Sequence, residues 1–201
     1  MRLVAWWALL SSGIAPVVLV GGWTVAEVLQ GPDYNPVTQT ISVLAAGAPR
    51  VYWVLTAMLV SVGSCYLLTA WGLHAAHLAG RLSLGGGGLS AILLAIFPAP
   101  ATGGSLPHGS VVTVGFTLLA LWPVLATRRR ATAATPWGLR PAPSIAVSAL
   151  MWLGALWFVI ELQIHGSAGV AERVVTSLQS LWPVIVVISC LRHSARAKRT
   201  A

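Results

Sequence analysis

Charged residues are the scarcest feature of this sequence. Aspartate, glutamate, lysine and arginine make up 8% of its 201 residues, whereas about 25% is usual for a soluble domain. Hydrophobic residues make up 57%, and a soluble globule of this length could not cover so much apolar surface with so few charges. The composition therefore excludes a soluble enzyme, a disordered chain and a nucleic-acid module.

Residues and motifs that often carry chemistry are also scarce. The two cysteines, Cys65 and Cys190, both lie in apolar segments without CxxC spacing, so a disulfide framework is not expected. The one lysine, Lys198, lies in the C-terminal tail, which excludes a retinal Schiff base inside a bundle. The sequence has no G-x-S-x-G, H-E-x-x-H, phosphate-loop or dinucleotide-binding motif. We expect no cofactor.

Long hydrophobic runs dominate the chain. A bilayer core of about 30 Å needs about 20 apolar residues in a helix. Six stretches qualify, and the first is expected to be a retained span because Pro16 follows its best signal-cleavage site. We predict an all-α membrane protein, residues 1–201 forming one domain that is a bundle of six transmembrane helices. The predicted spans are residues 4–25, 51–73, 82–97, 109–126, 145–160 and 170–191.

The third span is the weakest because it begins with the glycine run Gly85–Gly88. Glycine lowers helix propensity, but small residues let membrane helices approach closely. The run lacks the GK[ST] ending of a phosphate loop. We therefore interpret it as a packing seam.

The positions of the charges predict the orientation. Ten of the 12 positive residues fall in the segments that share a side with the two termini; Arg50 and Arg173 fall on the other side. The positive-inside rule then places both termini in the cytoplasm, with all four acidic residues near the outer face. The net charge of +8 is interpreted as attraction to anionic lipid, so no nucleic-acid partner is expected.

The first outer loop has helix signals. Asn35 can cap a helix, Pro36 suits its first position, and Gly47 can end it. Ile41 and Leu44 follow Val37 at i+4 and i+7, so they share one face. This pattern predicts a short helix at the outer interface or over the mouth of the bundle.

Ionisable residues gather at the outer ends of the spans, where they are candidates for chemistry. Four are candidate catalytic acids or bases: His108, Glu161, Asp33 and Glu27. Glu161 and His165 are four residues apart and would share a face if the fifth helix continued to Gly166. Zinc sites usually need three or four ligands, so no metal site is expected.

Three motifs, taken in order, resemble the domain-of-unknown-function 998 family of six-span bacterial membrane proteins. They are the loop Tyr34–Leu44, Phe97-Pro98 followed by His108, and Gly169–Arg173. The resemblance implies a six-span bundle in the bacterial cytoplasmic (inner) membrane and no settled reaction. Acids common in the family are replaced here by Val43 and by Pro100 in Phe97-Pro98-Ala99-Pro100, which weakens an enzymatic interpretation.

We hypothesise that the three motifs meet at an outer polar mouth, with the short loop helix as a lid. Glu172 and Arg173 would pair with loop groups and with His108. The mouth would bind a membrane lipid or hydrophobic small molecule, or a partner protein or second copy of the chain. The alternatives are an acid–base enzyme acting on a lipid or isoprenoid and, less supported, a transporter. The predicted binding residues are Tyr34, Asn35, Gln39, Ser42, His108, Glu172 and Arg173.

Overall fold

The computed structural model of the chain describes residues 3–100, 103–127 and 135–199. A short 3-10 helix, Trp137–Leu139, precedes the sixth α-helix. The α-helices are α1 (Trp6–Gln30), α2 (Ile41–Leu44), α3 (Pro49–Gly72), α4 (Leu78–Ile96), α5 (Leu106–Leu125), α6 (Pro141–Gln163) and α7 (Ala168–Arg199).

Within the described ranges, six helices are long and apolar enough to cross a membrane, and α2 is the short one. This confirms the predicted all-α membrane protein with six spans and a short helix in the first long loop. Several helices continue past the predicted spans; α1, for example, ends at Gln30 rather than Val25. The reason is that the prediction followed apolar runs, whereas a helix can continue into the polar interface.

The six long helices form a closed ring. Each packs against the next along the chain, and α1 packs against α7. Because neighbours are antiparallel, the last residues of α1, α4 and α6 lie at the same end as the first residues of α3, α5 and α7. We call this the acidic end, since it carries Glu27, Asp33, Glu161 and Glu172. The basic end carries Arg81, Arg140, Arg192 and Arg196.

The glycine run of α4 lies in two helix interfaces. Gly86 and Gly87 face Leu118 and Leu119 of α5. On the other side, a Cβ on Gly88 would lie 2.7 Å from the carbonyl oxygen of Gly63 in α3. The predicted packing seam is thus confirmed, because no larger side chain fits where α3 and α4 meet.

Serine side chains connect neighbouring helices through carbonyl oxygens of α5. Ser148 Oγ of α6 donates to Ala120 O at 2.6 Å, and Ser83 Oγ of α4 donates to Leu118 O at 2.7 Å. Such bonds contribute on average about 0.6 kcal/mol in a membrane bundle. They hold α5 between α4 and α6, and so fix the wall that α5 contributes to the cavities described below.

Candidate functional site

The 31–48 loop, which joins α1 to α3, lies across the acidic end. Its helix begins after Thr40 and spans only Ile41–Leu44, so the predicted start at Asn35 is wrong. Asn35 Oδ1 instead accepts from Val37 N at 2.9 Å, and Gln39 Oε1 accepts from Asn35 N at 2.8 Å. These bonds form a compact turn rather than a first helical turn.

Carbonyl oxygens of this turn bind the start of α7, which is why the turn does not become helical. Val37 O accepts from Gly169 N at 3.0 Å and from Val170 N at 3.3 Å. The first amides of a helix have no partner within the helix, so the loop supplies one. The loop is therefore docked on α7 through its backbone.

Arg173 holds the docked loop from the side. Its Nη1 donates to Pro36 O at 3.1 Å and to Gln39 O at 3.5 Å. Its Nη2 donates to the Tyr34 hydroxyl at 2.8 Å, and the guanidinium forms an ion pair with Glu27. Arg173 and Glu27 side chains are only 15% and 24% exposed, so the pair is largely shielded from water.

Two aromatic rings surround the Arg173 guanidinium. Its Cζ lies 5.8 Å from the centre of the Trp23 ring and 5.9 Å from that of Tyr34, within the range of cation–π attraction. The Tyr34 hydroxyl lies 3.0 Å from the carbonyl oxygens of Gln39 and Thr40. Burial raises the pKa of Tyr34 above its ordinary value, and the hydrogen bond from Arg173 opposes that rise. The tyrosine therefore stays a neutral donor to the loop.

Glu172 holds the other side of the loop. Its Oε2 accepts from Ile41 N at 2.5 Å, the first amide of α2, and Ser42 Oγ donates to Oε1 at 3.4 Å. The residue is 7% exposed. A carboxylate on the first amide of a helix is a capping contact, so Glu172 supplies from α7 the cap that the loop itself lacks.

Beneath the loop lies a cavity of about 100 Å³, which we call the loop cavity. Most of its wall is apolar, and Ser42, His108, Glu172 and Thr176 are its polar lining residues. His108 Nδ1 lies 2.8 Å from Phe97 O. Because a carbonyl oxygen can only accept, Nδ1 carries the hydrogen, and Nε2 does not take part in this bond. His108 therefore bonds to the end of α4, rather than to Glu172 or Arg173 as predicted.

A second cavity, of about 90 Å³, lies deeper between the helices; we call it the central cavity. Its polar lining includes Tyr66, Ser90 and Gln179. Gln179 is 1% exposed, and its Nε2 lies 3.4 Å from Phe116 O. Gln179 is not among the residues predicted from the sequence, because only ionisable groups at membrane depth were candidates there. An amide inside the apolar run of the last span was the available signal.

The remaining candidates lie outside these cavities. Glu161 accepts from Trp157 Nε1 at 2.9 Å and from Ser167 N at 2.5 Å, so it caps the start of α7. The condition for a common face of Glu161 and His165 is not met, because α6 ends at Gln163 and His165 adopts a left-handed φ of 55°. Asp33 is exposed in the loop.

Of the four predicted catalytic candidates, His108 alone lines the loop cavity; Glu27 is paired with Arg173. Across the described part of the chain, no three His, Cys, Asp or Glu side chains are grouped to hold a metal ion. The structure does bring together Tyr34, Gln39, Ser42, Glu172 and Arg173, whose role in binding stays a prediction.

The three motifs, far apart in sequence, thus meet at one end of a six-helix ring. Comparison with curated proteins and with solved structures found no match. The sequence pattern of the family described as "Protein of unknown function (DUF998)" matches residues 3–189, a range that contains all three motifs. The chain is therefore a multi-pass membrane protein that belongs to the DUF998 family.

Proposed function

We propose that this protein binds a hydrophobic small molecule, or one chain of a membrane lipid, in the loop cavity. The observation that carries the proposal is the lining of that cavity, which is apolar except for Ser42, His108, Glu172 and Thr176. Small-molecule sites have this character: a mostly apolar wall and a few convergent polar groups that orient the ligand. The polar end of the ligand would lie at Glu172 and His108.

The size of the cavities limits the ligand. The loop cavity and the central cavity measure about 100 and about 90 Å³, whereas sites for drug-sized ligands measure about 300–1,000 Å³. A short apolar molecule or a segment of one acyl or prenyl chain fits better than a whole lipid. The cavities adjoin, because both are lined by Leu19, Leu59, Leu94, Val112, Phe116 and Thr176.

The side of the bundle offers a route of entry. A groove of about 420 Å³, the lateral groove, lies between α5 and α6. Val112 and Phe116 line both this groove and the loop cavity. Phe116 also stacks on Phe158 of α6, with ring centres 5.8 Å apart. We propose that this ring pair separates the bilayer from the cavity and moves aside when a chain enters.

Filling the cavity should exclude the ligand. Ala45 lines the loop cavity, whereas its neighbour Ala46 is similarly half-buried but does not. A phenylalanine ring at this position would occupy space that the ligand needs, so we expect Ala45→Phe to lower ligand occupancy about tenfold, which corresponds to a loss of about 1.4 kcal/mol in binding free energy. Native mass spectrometry of protein extracted with its surrounding lipid measures the retained species.

Ala46→Phe is the matched control and should retain the ligand as the wild type does. Melting temperatures of both variants show that the fold is kept. The proposal fails if the wild-type protein carries no hydrophobic species, or if the two variants lose it equally.

A second candidate function is acid–base catalysis on such a ligand. It is favoured by one observation: His108 and Glu172, an imidazole and a carboxyl group, line the same apolar cavity. Conversion of an added lipid or isoprenoid by the purified protein, abolished by His108→Ala but not by Glu161→Gln, would favour this candidate. If the purified protein converted none of these compounds, catalysis would be rejected and ligand binding would remain the proposed function.

We further propose that the acidic end faces outward from a bacterial inner membrane, supported by the unequal charges of the two ends. Asp33 and Ala195 are exposed at opposite ends, and both native cysteines are buried. On intact cells, a membrane-impermeant maleimide should label Asp33→Cys, and should label Ala195→Cys only after lysis. The reverse pattern would contradict this orientation.

A further inference from the structure

We infer that a groove at the basic end binds the phosphate group of an anionic membrane lipid. This basic groove measures about 470 Å³ and lies between the 3-10 helix and α7. Its lining includes Trp137, Arg140, Ser189, Arg192, His193 and Arg196. None of these residues belongs to the cavities at the acidic end, so the inference stands independently of the proposed function.

Positive charge converges on the basic groove from two elements. Arg192 and Arg196 are one turn apart on α7 and both line the groove, an arrangement that is unfavourable for like charges. Arg140 lies on the other wall and precedes α6, whose N-terminus adds partial positive charge. A phosphate group between these arginines would offset their mutual repulsion.

The walls of the groove are fixed in place. Arg140 Nε donates to Thr135 O at 3.1 Å, which orients its guanidinium. Gly138 N of the 3-10 helix donates to Ser189 Oγ of α7 at 2.9 Å. A Cβ on Gly138 would lie 3.0 Å from Val186 Cα, so the 3-10 helix packs directly on the backbone of α7. The wall that the 3-10 helix forms is therefore fixed against α7 before a ligand binds.

The apolar part of the groove favours a lipid over free phosphate. Ile185 and Ile188 lie on α7 below the arginines and line the same groove. Trp137 is 53% exposed, and its ring packs edge-on against Trp182 with centres 5.9 Å apart. Tryptophans of membrane proteins are enriched at the level of the lipid headgroups. An acyl chain would run along the isoleucines while the phosphate contacts Arg140 and Arg192.

The test is a lipid titration of the purified full chain, read by native mass spectrometry. The probes are phosphatidylglycerol, phosphatidylcholine and inorganic phosphate. We expect phosphatidylglycerol to saturate this site at one molecule per chain. We also expect it to bind more tightly than phosphatidylcholine. Each arginine near a membrane surface contributes about 1 kcal/mol, so Arg192→Gln should weaken binding about fivefold. Arg192→Gln combined with Arg196→Gln should weaken it further.

Arg50→Gln removes the same charge at the acidic end and is the matched control, which should bind as the wild type does. If Arg50→Gln weakened lipid binding equally, or if binding never saturated, the proposed site would be contradicted. Anionic lipid would then be attracted to the charge of the whole protein rather than bound in the basic groove. If inorganic phosphate displaces the lipid and itself binds as tightly, the lipid assignment is wrong and free phosphate is the ligand. Arg192 is exposed, so an unchanged melting temperature should accompany each variant.

Discussion

Replacing Arg173 with leucine should release the 31–48 loop from α7 and lower the free energy of unfolding by about 3 kcal/mol. The value is that expected when one partner of a buried ion pair is removed and the other is left uncompensated. Glu27 would be the uncompensated group, since its side chain is only 24% exposed. The carbonyl oxygens of Pro36 and Gln39 and the Tyr34 hydroxyl would lose the same donor. Thermal unfolding in detergent measures the loss.

A double-mutant cycle separates the ion pair from the loop contacts. Glu27→Gln removes the uncompensated charge, so adding it to Arg173→Leu should restore part of the lost stability. Arg50→Leu, at an exposed position of the same end, should change stability by less than about 0.5 kcal/mol. Additive effects of Glu27→Gln and Arg173→Leu would contradict the coupling described for this pair.

Replacing Gly169 with valine should dislodge the loop through sterics alone. A Cβ at this position would overlap the carbonyl oxygens of Pro36 and Gln39, which are backbone atoms and cannot rotate away. The loop cannot shift without breaking the bonds from Gly169 N and Val170 N to Val37 O. We expect a loss of about 1–3 kcal/mol, the range for forced overpacking. Faster proteolysis within the loop should accompany that loss.

Gly109→Val is the matched control for this substitution. Gly109 also lies in the first turns of a long helix at the acidic end, and a Cβ there meets nothing within 4 Å. In the Gly109→Val variant, the protease should cleave the 31–48 loop at the wild-type rate. Equal cleavage of the loop in both variants would show that valine acts through the helix itself rather than through the docked carbonyl oxygens.

The architecture could be predicted from the sequence because membrane spans are a local property. A run of about 20 apolar residues defines each span without reference to the rest of the fold. The packing of Gly85–Gly88 could be predicted for a similar reason, since the close approach of two helices depends on the size of the side chains between them. The meeting of the three motifs at one end also followed, because antiparallel neighbours bring alternate helix ends together.

The local structure of the loop could not be predicted, because it depends on partners far away in the chain. Asn35 and Pro36 are good helix-starting residues, yet the carbonyl oxygens of this turn bind Gly169, Val170 and Arg173. Ile41 receives its cap from Glu172, which is 131 positions away. Local propensity is a weak guide when distant groups compete for the same backbone atoms.

The direction of individual side chains could not be predicted from the sequence either. Glu161 would share a helix face with His165 only if the helix continued to Gly166, but the chain turns into a left-handed conformation at His165 and Glu161 binds Ser167 N instead. The contribution of Gln179 to the central cavity depends on which face of α7 points inward. Neither feature follows from spacing along a single helix.

We propose that the loop cavity holds a hydrophobic ligand whose polar end lies at Glu172 and His108. An experimental structure of the protein, extracted together with its native lipid, tests this most directly. We expect continuous density from Ser42, His108 and Glu172, past Phe116, toward the central cavity. A structure at comparable resolution with the loop docked on Arg173 and no such density in the cavity would contradict it.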